Sequence, residues 1–114
     1  MFIFATEMIN RQVCIERIKA NSGYIQQNYG VRSLRLFGSM ARDEVQGSSD
    51  VDVFVEMAPK LFQMVGLKYY LEDLLGTNVD IVRKHRNNDA FLLHEIEKDG
   101  IDIIGETTIG VAYS

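Results

Sequence analysis

The run Asp50-Val51-Asp52-Val53-Phe54-Val55-Glu56-Met57 constrains the chain more than any other segment. Valine at every second position favours a strand, because β-branched side chains fit a pleated surface and lose freedom in a helix. A strand's period of two then puts Val51, Val53 and Val55 on one face. Asp50 and Asp52 share the other face. Such a strand needs an apolar core on one side and a use for two adjacent carboxylates on the other.

The segments around it supply the core. Residues 7–29 place Cys14, Ile18, Ile25 and Tyr29 at helical spacing, and Gly30 stops that helix. Residues 31–37 alternate, with Leu34 and Leu36 opposite Arg35, as a strand does. Gly47-Ser48-Ser49 reads as a loop, and Pro59 opens a new element. Met64, Leu67, Leu71, Leu74 and Leu75 then keep helical spacing up to Gly76. Residues 78–82 read as a short strand. Asn87, Asn88 and Asp89 are candidate caps of a last helix ending before Gly100. The expected order is α, β, short α, β, α, β, α: an α/β (α+β) domain with a small mixed sheet covered by helices. One domain is expected over residues 1–104, with residues 105–114 an unassigned tail.

At 114 residues, 46% hydrophobic and 25% charged, the chain is sized and composed for one core. Cys14 has no partner for an internal disulfide. The net charge of −4 offers no general attraction for nucleic acid. No apolar run is long enough to span a membrane, and Met1-Phe2-Ile3-Phe4-Ala5 lacks the basic start of a signal peptide. A cytoplasmic location is expected.

Chemistry is concentrated in residues 36–53. Asp50 and Asp52 repel one another unless positive charge lies between them, and hard oxygen donors at that spacing suit Mg²⁺ or Mn²⁺. Upstream, Gly38-Ser39 closes a strand and opens a short helix. Backbone N–H groups at such a turn favour an anion, and a glycine lets phosphate approach the backbone closely. Ser39 adds a hydroxyl donor. In Val79-Asp80-Ile81-Val82, Asp80 faces away from its apolar neighbours. If that strand lies beside the second one, three carboxylates converge, the set that two-metal phosphoryl or nucleotidyl transfer uses. Asp80 then serves as a ligand or general base.

Gly38-Ser39, ten residues, then Asp50-x-Asp52 resembles the GSx10DxD signature of the polymerase-β-like nucleotidyltransferase superfamily. Within it the chain is most similar to minimal nucleotidyltransferases, the MntA-like antitoxins of HEPN/MNT toxin–antitoxin pairs. The likeness runs from the first helix to Ile104 and includes Gly38-Ser39-Met40-Ala41-Arg42, Leu74-Leu75-Gly76 and Ile96-Glu97. It implies a nucleotide triphosphate, ATP, held by Gly38 and Ser39, with metal on Asp50, Asp52 and Asp80. It implies a phosphate contact for Arg42, although a solvated surface arginine fits that position equally well. It implies transfer of AMP to a tyrosine of a HEPN-family toxin. Asp43 departs from the pattern, since many relatives have glycine after Ala-Arg.

Other features have plainer readings. Arg83-Lys84-His85-Arg86 is short, without interleaved aromatics, and reads as a solvated loop. His85 and His94 have no metal spacing. Tyr69-Tyr70 read as packing residues, and Cys14 as core. Three functions stay open: transfer to a protein partner, neutralisation of a toxin by stoichiometric binding, and transfer to a small molecule or RNA with a helper subunit.

Overall fold

The computed structural model describes residues 9–44 and 50–107. The opening stretch 1–5, the loop at 47–49 and tail residues 108–114 lie outside them. Among the described residues the order is α1 (Arg11–Ala20), α2 (Ser22–Tyr29), β1 (Ser33–Phe37), α3 (Gly38–Ala41), β2 (Val51–Glu56), α4 (Leu61–Leu75), β3 (Val79–Arg83), α5 (Ala90–Asp99) and β4 (Ile101–Ile104). The strands form one mixed sheet in the order β3-β2-β1-β4. β1 runs antiparallel to both β2 and β4, whereas β2 and β3 are parallel and joined through α4.

Three differences from the sequence reading have local causes. The first helix begins at Arg11, where the Asn10 side chain accepts from the Val13 N–H. It then breaks at Asn21, whose side chain donates to the Arg17 carbonyl at 2.8 Å and whose N–H donates to Ile18. Asn-Ser-Gly is a poor helix segment because short polar side chains compete for backbone groups. A fourth strand also forms at residues 101–104, a run too short for its periodicity to stand out. Its pairing with β1 shifts register between Leu34 and Arg35. That bulge lets both Ile103 and Ile104 enter the core while Asp102 stays opposite Arg35.

The main core lies on one face of the sheet. Leu34, Leu36, Val51, Val53 and Val55 meet Cys14, Ile18 and Ile25 from α1 and α2, and Leu67, Leu71 and Leu75 from α4. Tyr70 joins it by stacking on Tyr24 with ring centroids 5.0 Å apart, while Tyr69 stays exposed. The opposite face holds a smaller cluster in which Phe37 and Phe54 pack under Ile96 of α5. α5 starts at Asp89, which accepts from the Leu92 N–H. Its far end is fastened by Arg35, which donates to the Ile96 and Glu97 carbonyls and pairs with Asp102 at 2.9 Å. Gly100 is required there by space: a Cβ would run into Arg35 Nε and the Ile96 oxygen.

Candidate active site

Strand alternation carries Asp52 onto the α5 face of the sheet, away from the three valines. Across β1 its register partner is Phe37, the last residue before Gly38. Across β3 its partner is Asp80. The parallel pairing therefore brings Asp80 beside Asp52, as the sequence leads one to expect. Asp50 stands just before β2 and is exposed.

The Gly38 turn packs directly on this pair. Gly38 has φ +78°, a conformation that side chains disfavour, and a Cβ there would collide with Asp52 Oδ2, with Asp52 Cγ at 3.3 Å. The metal-ligand type of residue and the phosphate-binding type of turn are thus in contact. Ser39 follows in α3, partly exposed. That helix is short, as expected. It is a single turn closed by the Arg42 N–H on the Gly38 carbonyl, so its dipole contributes little and local N–H donors matter more.

Electrostatics mark Asp52 as the focal group. Its pKa is pushed up to about 6, first by burial and then by the charges of Asp80 and Asp50. Arg42 acts the other way, without cancelling them. Crowded carboxylates of this kind are what a divalent cation relieves. Among the described residues, no group of three acidic, histidine or cysteine side chains is arranged to hold a metal ion. The donor set fits Mg²⁺ held partly by the protein and partly by phosphate oxygens and water, the usual way that ion is bound.

Arg42 is not pointed at open solvent alone. It donates to Glu44 at 2.9 Å and lies 3.5 Å from Asp99 of α5. The next residue, Asp43, has φ +62°, so the departure noted in the sequence falls where the backbone favours glycine. Sequence reasoning missed Glu95 and Asp99 as partners of Arg42, because only the docking of α5 brings them near. It also missed Lys68 and Glu72, which α4 places against the start of β3.

The basic run behaves as a structured loop. Lys84 pairs with Glu56 at 3.0 Å, and Asn88 accepts from the His85 N–H. Its first residue, Arg83, ends β3 and the others follow, at the end of the strand away from Asp80.

A profile of the family described as Polymerase beta, Nucleotidyltransferase matches residues 19–108. The chain belongs to that family. It is accordingly a nucleotidyltransferase. It is 41% identical over 69 residues to the protein adenylyltransferase MntA of Thermococcus cleftensis, covering 59% of this chain and 70% of that one. A solved structure provisionally described as a minimal nucleotidyltransferase superposes with TM-score 0.68 at 30% identity, over 85% of this chain and 98% of the other. The fold is also that of a chain in a complex of tri-AMPylated Shewanella oneidensis HEPN toxin with MNT antitoxin. There the TM-score is 0.58 at 20% identity, over 84% of this chain and 73% of that one. Among the described residues no helix is long and apolar enough to cross a membrane.

Proposed function

We propose that this nucleotidyltransferase moves AMP from ATP, with Mg²⁺ or Mn²⁺, onto a HEPN-family toxin and so acts as its antitoxin. One observation carries the reading: Asp52 lies in register beside Asp80, with its carboxylate against the backbone of Gly38. Acidic ligands and a close-approach turn at one spot suit a triphosphate whose charge is neutralised by cations. The adenylyltransferase name of the Thermococcus cleftensis relative supports AMP as the group transferred. The HEPN toxin complex among its structural neighbours supports the partner.

In this reading Gly38 and Ser39 receive the triphosphate through backbone N–H groups and a hydroxyl. Asp50, Asp52 and Asp80 hold the divalent ions. When bound, those ions neutralise phosphate charge and make the attacking hydroxyl more acidic. Asp80, the more exposed of the register pair, would serve as such a ligand or as the general base that takes the acceptor's proton. The α-phosphorus–oxygen bond to pyrophosphate breaks as the acceptor oxygen–phosphorus bond forms. Arg42 contacts phosphate only after exchanging Glu44 or Asp99 for it, so its contribution is the smaller one.

Incubation with α-labelled ATP, Mg²⁺ and the candidate toxin tests the reading. Label is expected on a toxin tyrosine with the wild-type chain and on nothing with Asp50→Asn/Asp52→Asn. If the double variant still neutralises the toxin, stoichiometric binding replaces transfer. If label goes to a small molecule or RNA instead, the acceptor assignment falls while the chemistry stands.

A further inference from the structure

β3 is one of the sheet's two edge strands, and Asp80 sits on it, so the carboxylate set depends on a strand paired on one side only. Val79, the residue before Asp80, is held in an uncommon way. Its N–H donates to Glu72 Oε2 at 3.1 Å, and its carbonyl accepts from Lys68 Nζ at 2.7 Å. Lys68 and Glu72 are themselves paired at 2.9 Å, one turn apart on α4. Both polar backbone groups of one edge residue are therefore satisfied by a single ion pair borne on the crossover helix.

The location gives this contact a consequence beyond edge protection. A strand that slips by one residue turns every side chain to the other face. Here a slip would send the Asp80 carboxylate into the apolar core and bring Val79 or Ile81 to the site. Val79 pairs with Val51 and Asp80 with Asp52, so fastening Val79 fixes the very step that matters. The charge of Lys68 also lies within the field of Asp80.

We propose that Lys68 and Glu72 are positioning residues that lock β3 in the register at which Asp80 lies beside Asp52. The proposal rests on the reading of Asp80 as the third carboxylate of the nucleotide site.

Two measurements on the full chain test it without using turnover. One is calorimetric affinity for Mn²⁺ together with a non-hydrolysable ATP analogue; the other is hydrogen exchange at the amides of residues 79–81. Glu72→Ala is expected to weaken binding about tenfold, as loss of a supporting hydrogen bond behind a metal ligand does, and to speed exchange in β3. Glu72→Gln keeps an acceptor for the Val79 N–H and is expected within about threefold of wild type. Lys68→Met keeps the Glu72 bond and is expected to fall between them. Wild-type affinity and exchange in Glu72→Ala overturn the proposal, and so does failure of Glu72→Gln to rescue. If Glu72→Ala proves unfolded by circular dichroism, Lys68→Met decides, and its wild-type affinity overturns the proposal. Equal binding by wild type and Asp52→Asn would instead sink the reading of the site, while exchange in β3 still reports on the lock.

Discussion

Asp52 and Glu56 lie on the same face of the same strand, four residues apart with Phe54 between them, yet their environments are opposite. Burial works against Glu56 too, but hydrogen bonds from Ser33 and Lys84 hold its carboxyl below the usual range. Ser33 donates to it at 2.6 Å, and Thr107 donates on to Ser33 at 3.2 Å. Asp52, by contrast, is crowded by Asp80 and Asp50 and pushed up to about 6. One carboxylate is satisfied by the fold and ties strands together. The other carries charge that Arg42 only partly offsets, an imbalance that the proposed cation would relieve.

Asp52→Asn should have the largest effect. It is expected to lower AMP transfer about 10³-fold, equivalent to about 4 kcal/mol of transition-state stabilisation, in a labelled-ATP assay. Glu56→Ala should do the reverse. Loss of the acceptor behind the buried Ser33 hydroxyl is expected to cost about 2 kcal/mol in denaturant unfolding. Transfer by the folded variant should stay within about twofold.

The two carboxylates should also differ in the sign of their pH dependence. Asp52 takes up its proton more readily folded than unfolded, so its contribution to stability is full below its ordinary pKa of 3.8. That contribution is lost as pH rises through about 6. Glu56 is the opposite case: its contribution is present above its ordinary pKa and is lost as pH falls through the lowered one. Metal-free Asp52→Asn should therefore be more stable than wild type at pH 7.5, by about 1 kcal/mol once solvent screening of a half-buried group is allowed for. The gain should disappear at pH 4. A thermal melt at the two pH values checks both.

Asp43→Gly carries the smallest effect. Releasing the left-handed residue next to Arg42 is expected to stabilise the chain by about 0.5 kcal/mol, part of the relief being offset by glycine's freedom when unfolded. Its arms sharpen the site's outline: unchanged transfer would mean the Arg42 turn already has its working geometry.

Much of this was legible in the sequence because period-two alternation does two jobs at once. Val51, Val53 and Val55 announce the core face, and the same spacing announces the carboxylate face. Leu67, Leu71 and Leu75, with Gly76 behind them, mark α4 just as plainly, and the distance from Gly38-Ser39 to Asp50-x-Asp52 is a feature of the chain itself. The break at Asn21 was hidden because Ile18 and Ile25 keep helical phase across it, both fully buried. β4 was hidden because four residues carry too little periodicity and its pairing depends on a bulge. The partners of Arg42 and of Val79 were illegible for another reason. Glu95, Asp99, Lys68 and Glu72 look like ordinary helix-surface charges until α5 and α4 are docked on the sheet. Tyr69 and Tyr70 show the same limit, since adjacent helical residues point apart and only Tyr70 reaches the aromatic cluster.

The proposed transfer depends on Asp50, Asp52 and Asp80 sharing divalent cations with a triphosphate seated on the Gly38 turn. Anomalous diffraction from crystals grown with Mn²⁺ and a non-hydrolysable ATP analogue addresses it directly. A manganese peak is expected within about 2.5 Å of an Asp52 carboxylate oxygen, with Asp50 or Asp80 and a phosphate oxygen also coordinated. Nucleotide bound with no peak at these aspartates, or with its phosphates away from Gly38 and Ser39, would contradict it.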